Sequence, residues 1–132
     1  MKTQAALHHL AAVDPVLVSA LEQFESDNGT EIPIVGLGRI GSALVQNIES
    51  IDEESVRELF DRTDVLLGCG DEQTETAIAT GFLEAIVSHT EESGRSRDSI
   101  EKYFGPRSVD YVTKWDADLG IVRGEANPGD PN

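Results

Sequence analysis

Apolar residues recur along almost the whole chain at spacings of three and four, and this pattern constrains the fold more than any other feature. Ala6, Leu7, Leu10 and Ala11 begin it, Leu17, Leu21 and Phe24 continue it, and Ile40, Leu44 and Ile48 repeat it. Val56, Leu59, Phe60 and Thr63 form a fourth stripe, Ile78, Phe82, Leu83 and Ile86 a fifth, and Val109, Val112 and Trp115 the last. A period of 3.6 residues puts each set on one face of a helix, whereas a doubly wound sheet needs strands alternating with such helices. The predicted fold is therefore mainly α: a single compact bundle of five or six helices with at most one short extended or strand segment.

Punctuation between the stripes supports the same reading. Asp14-Pro15 supplies a cap and a first-turn proline, and Asn28-Gly29 ends the helix that follows. Asp52 precedes a helix with Glu53 and Glu54 in its first turn, the sign that suits a helix dipole. Gly68-Cys69-Gly70 stops that helix and Asp71 caps the next, which runs to a polar loop over 91–96. Asp98-Ser99-Ile100-Glu101 has the spacing of a capping box, and Gly105-Pro106 closes the short helix it opens. Ile32-Pro33-Ile34-Val35, apolar but interrupted by proline, is the one predicted extended or edge-strand piece, with helix resuming at Arg39. Residues 1–124 read as a single helical domain, and 125–132, rich in Pro, Gly, Asp and Asn, as a disordered acidic tail.

The 132 residues include 25 Asp+Glu against 10 Lys+Arg, a formal net charge of −15. Such a surface repels nucleic-acid phosphates and favours a basic protein partner. No apolar run is long enough for a membrane span. The stretch from Met1 to His9 has neither a basic region nor a continuous apolar core, and Cys69 is the sole cysteine, so the expected location is the cytoplasm. Adaptation to high salt also produces acid-rich, lysine-poor chains, and Lys2, Lys102 and Lys114 are the only lysines here. A generic haloadapted interaction module is thus one alternative.

A second alternative is a dinucleotide-binding, Rossmann-like protein. Gly36-Leu37-Gly38-Arg39-Ile40-Gly41 fits G-x-G-x-x-G between an apolar extended piece and a helical pattern. It resembles the nicotinamide-binding turn of 2-hydroxyacid dehydrogenases, and Asp64-Val65-Leu66-Leu67 looks like a later strand of that fold. The second strand, with its ribose-reading acid, should stand about 20 residues beyond the glycines. Residues 51–60 are instead acidic and helix-periodic, so the sequence favours a glycine-rich turn packed closely against a helix, with no cofactor.

The carboxylates offer a clearer candidate surface. Glu54, Glu58 and Asp61 share a helix face turned away from Val56, Leu59 and Phe60, while Asp71, Glu72 and Glu75 open the following helix. These six, together with Trp115 as a lone indole suited to anchoring an interface, are the candidate partner-binding residues. No catalytic or metal-ligating set is predicted. Spacing does not bring Cys69 to His89, a cysteine between glycines reads as a small packing residue at a helix end, and His8-His9 cannot chelate from one helix face.

Gly70-Asp71-Glu72, Thr80-Gly81-Phe82-Leu83-Glu84 and Gly105-Pro106-Arg107-Ser108 with Trp115-Asp116 occur in that order. Over residues 5–122 the chain thereby resembles a family of small helical proteins of unknown function, which are similar to immunity proteins of polymorphic-toxin and contact-dependent inhibition systems. The resemblance implies an all-α or mostly α fold, no catalysis, and an immunity-type role as inhibitor of a basic toxin.

Overall fold

The structure, a computed structural model, describes residues 2–123, so the expected tail at 125–132 lies outside the described residues. The described residues are mainly helical and contain no strand. Helix α1 is Thr3–Ala11, α2 Pro15–Asn28, α3 Pro33–Gln46 and α4 Glu53–Leu67. Glu72–Ala77 and Glu84–Glu92 are α-helical on either side of a π-helical turn, Ile78–Leu83, and the three run on as one helix, α5. A single turn at Asp98–Glu101 is α6, and α7 is Pro106–Arg123. Counted this way the described residues hold seven helices, against the five or six expected.

Helix α3 is the hub of the bundle. It packs on α1, on α2, and on both the π turn and the second half of α5. The stripes that define α1 and α2 are buried throughout, and Leu37, Ile40, Leu44, Phe60, Phe82 and Leu83 are all 0% exposed. Phe60 gathers the aromatic rings, stacking on Tyr103 at 6.2 Å and meeting Phe104 at 5.2 Å. Asp14 caps α2 by accepting a hydrogen bond from Val16 N at 2.8 Å, and Gly29, at φ +77°, ends it in the left-handed region that favours glycine.

The predicted extended piece at Ile32-Pro33-Ile34-Val35 is corrected: Pro33 is the first residue of α3, and Ile34 and Val35 lie in its first turn. A proline fits there because its missing N–H is one that the first turn leaves unpaired anyway, and its fixed φ already suits a helix. Asp64-Val65-Leu66-Leu67 likewise forms the last turn of α4, not a strand. Gly36, Gly38 and Gly41 therefore stand inside a helix, and the strand-to-turn geometry that presents backbone N–H groups to a pyrophosphate is not formed.

What the glycines do is let helices approach. A β-carbon at Gly81, on the π turn, would stand 2.8 Å from Ile34 Cγ1 and 2.9 Å from Ile34 O, and one at Gly41 would stand 3.3 Å from Phe82 O. Across the same crossing, Gly38 faces Gly81 O. The expected close packing against a helix is present, but the glycines reach it from a helix, not from a turn.

Two start signals act differently from their sequence appearance. Asp52 occupies the cap position of α4 without a side-chain cap bond. In α6 the first helical residue is Asp98 itself, with Arg97 at the cap, so the capping box does not form. Ser96 Oγ accepts from Asp98 N instead, and Arg97 takes Glu101 as a partner. Arg97 also donates to both Asp116 oxygens, at 3.1 and 2.8 Å, tying α6 to α7. Burial opposes its charge, but the hydrogen bonds to Asp116 and Glu101 outweigh that and raise its pKa above the usual arginine value. On α7 the exposed Val109 corrects the expected stripe, since Ser108 and Val112 are the residues turned inward.

Gly81→Ala is expected to cost about 1–3 kcal/mol of stability, the usual penalty for forcing atoms into a packed crossing. Gly38→Ala, whose β-carbon would find Gly81 O at an ordinary 3.5 Å, should be neutral or stabilising by up to about 1 kcal/mol through helix propensity. Urea denaturation of both variants beside the wild type measures the contrast, and equal effects would refute this role for the crossing.

Candidate functional site

The acidic face of α4 is where the sequence places it. Glu54, Glu58 and Asp61 are all exposed, and one turn further on the same face Val65 is 69% exposed. Part of this helix is internally neutralised, because Arg57 pairs with Glu53 at 2.6 Å and Arg62 with Glu58 at 2.9 Å. The Arg57 guanidinium holds the Glu53 carboxyl below its ordinary range. Arg62 also donates to His9 O at 2.8 Å, fixing α4 against the end of α1.

The three acids at the start of α5 divide into different tasks. Asp71 accepts from Gln73 N at 3.2 Å and from the Thr74 hydroxyl at 2.8 Å, and the Thr74 bond above all keeps its carboxyl below the usual aspartate range. Glu75 accepts from Gly70 N at 2.8 Å. Both are thus committed to holding the turn between α4 and α5. Glu72 is exposed and borders a groove of about 540 Å³ where the starts of α1, α3 and α5 meet.

That groove is the surface the sequence reading missed. Its lining includes Glu31, Ile32, Pro33, Ile34, Glu72 and Ala77. Ile32 and Ile34 are each 43% exposed and the adjacent Val35 51%, an apolar crest on a helix whose later apolar residues are buried. The signal was present as three β-branched residues around a first-turn proline, but an edge-strand reading assigns them to the sheet face of a sheet that does not exist. Glu72 is the only one of the seven candidate residues in the groove lining; Glu54, Glu58, Asp61 and Trp115 lie outside it. Trp115 is partly buried on α7.

The Gly105-Pro106-Arg107-Ser108 motif has a structural role that depends on an unforeseen residue. Gly105, just before α7, has no side chain with which to cap it, and Asp64 of α4 does so instead: its Oδ1 accepts from Ser108 N at 2.9 Å. Arg107 stands 3.7 Å from the other Asp64 oxygen. A β-carbon at Gly105 would come within 2.5 Å of the Asp64 carboxyl carbon, so glycine is what admits the cap. The available signal for Asp64 was its position one turn after Phe60, a carboxylate on an apolar stripe. Glu84, which ends the Thr80-Gly81-Phe82-Leu83-Glu84 segment, accepts the Tyr111 hydroxyl, linking α7 to α5, and burial followed by this bond raises the Tyr111 pKa above its ordinary value.

Residues 7–117 match a family defined by a domain of unknown function, DUF7674. The chain belongs to the DUF7674 family. No curated protein and no solved structure matches it. Among the described residues of this DUF7674 protein, no group of three His, Cys, Asp or Glu side chains could hold a metal ion, and no helix is long and apolar enough to cross a membrane. Cys69 is exposed at the turn between α4 and α5, not packed at the helix end as expected. His89 faces Glu92 at 3.3 Å on its own helix.

Asp64→Ala should cost about 1–2 kcal/mol in urea denaturation, the range for losing a helix cap, and Asp64→Asn, which keeps an acceptor oxygen, should cost less. Asp71→Ala should lower the melting temperature at neutral pH. Because folding depresses the Asp71 pKa, its contribution is present above about pH 4 and is lost as pH falls through the depressed value. The melting difference between wild type and Asp71→Ala should therefore close in acid, and a difference constant with pH would contradict the capping role.

Proposed function

We propose that this DUF7674 protein is a non-catalytic, acidic protein-binding domain that acts in the cytoplasm as an immunity-type inhibitor. Its partner is a basic toxin domain, such as a nuclease, which it neutralises by covering the surface the toxin needs. The observation that carries this reading is the face of α4, where exposed Glu54, Glu58 and Asp61 lead to an exposed Val65. Acids beside an unburied apolar side chain suit a contact that attracts a cationic surface and then excludes water from part of it. The net charge of −15 extends the attraction beyond contact range.

A haloadapted surface is the second reading, and the Glu53–Arg57 and Glu58–Arg62 pairs favour it, since such pairs along a helix are an ordinary solvated arrangement. The two readings separate by experiment. The product of the neighbouring gene is co-expressed with wild type or with Glu54→Gln/Glu58→Gln/Asp61→Asn, and their affinity is measured at low and high salt. Wild type should protect the cells, and the triple variant should bind about tenfold more weakly at low salt, with the gap narrowing as salt screens the charges. Equal affinity of the two proteins at low salt would leave the α4 face as solvated surface.

A further inference from the structure

We infer that the groove between the starts of α1, α3 and α5 anchors the partner by taking an aliphatic side chain flanked by arginine or lysine. This rests on the protein-binding reading above and adds the place and chemistry of its tightest contact. Ile32 and Ile34 are each 43% exposed, while Leu37, Ile40 and Leu44 further along the same helix are fully buried. The exposed pair belongs to a fixed surface. Gly81 lies against Ile34 O and Ile34 Cγ1 with no room for a β-carbon, so the first turn of α3 is braced from beneath while part of Ile34 stays uncovered. A preformed apolar surface of this kind loses little entropy when a partner docks.

The remaining lining identifies the occupant. Pro33 and Ala77 extend the apolar floor, and the groove, at about 540 Å³, is within the size range of pockets that accept a ligand group. Its charged lining residues are Glu31 and Glu72, and no lysine or arginine lines it. An apolar floor whose rim carries two carboxylates beside the neutral polar Thr3, Gln73 and Thr76 is complementary to an apolar side chain with cations next to it. A second copy of this chain fits poorly, because two surfaces of net charge −15 repel. The chain's own residues 124–132 fit no better: they contain Glu125 and Asp130, no cation, and no apolar side chain larger than Ala126 outside proline. The π turn follows directly on Ala77, so the only π-helical segment among the described residues borders the groove, as such turns often border functional sites.

The test uses a short fluorescent peptide of alternating leucine and arginine and a control in which serine replaces leucine at the same charge, titrated by fluorescence anisotropy at low salt. Wild type should bind the leucine peptide at least tenfold more tightly than the serine peptide. Ile32→Ser/Ile34→Ser should abolish that preference while leaving serine-peptide binding unchanged. Gln73→Trp, which fills the groove from an exposed position without touching the α3 crossing, should do the same, so a folding defect in the isoleucine variant would not decide the matter. Glu31→Gln/Glu72→Gln should weaken both peptides. If the preference persists in both groove variants, or disappears only in Val65→Ser, the anchor is elsewhere and this inference fails while a basic partner stands. Equal binding of the two peptides to wild type likewise rejects an apolar anchor alone. Binding of neither peptide overturns both the anchor and the protein-binding reading.

Discussion

The close crossing of α3 with the π turn of α5 is the constraint on which the rest of the molecule depends. Gly41 on α3 and Gly81 on the turn let backbone meet backbone where side chains would hold the helices apart, while Gly38 faces the turn with room for a β-carbon. With that separation set, Leu37, Ile40 and Leu44 close over Phe82 and Leu83 in one continuous core. The same crossing seats the first turn of α3 on the π turn, with Ile34 Cγ1 against Gly81 and the rest of that side chain left 43% exposed.

Helical stripes were legible in the sequence because burial on one face repeats with the helix period, and α1, α2 and α4 bury the residues their stripes single out. Local caps were legible too, where the side chain and the amide it serves are neighbours, as at Asp14 and Asp71. What the sequence concealed depends on distant residues. Asp64 caps α7 from 44 positions away, and nothing near Ser108 announces it. The π turn is silent because Ile78, Phe82 and Ile86 also fit an ordinary helix. Ile32-Pro33-Ile34-Val35 has β-branched composition, and only the fit of proline to a first turn decides for helix.

The candidate site was legible to a similar degree. Sequence spacing located the exposed carboxylates of α4, but could not show that Arg57 and Arg62 neutralise some of the charge on that helix. It grouped Asp71, Glu72 and Glu75 as one cluster, whereas hydrogen bonding assigns Asp71 and Glu75 to the turn and leaves Glu72 beside the groove. On the proposed binding reading, the acids of α4 would act at a distance, where charge sets encounter and orientation, and the groove lined by Glu31 and Glu72 would act at contact, where an apolar surface sets how long a partner stays.

Proton NMR of the methyl-labelled protein tests whether the glycine crossing seats Ile34 against Gly81 in solution. Such seating gives clear nuclear Overhauser contacts between the Gly81 α-protons and the Ile34 side chain, with helical shifts from Pro33 onward. Ile34 methyls lacking any contact to Gly81, or extended-chain shifts over residues 32–35, would contradict it.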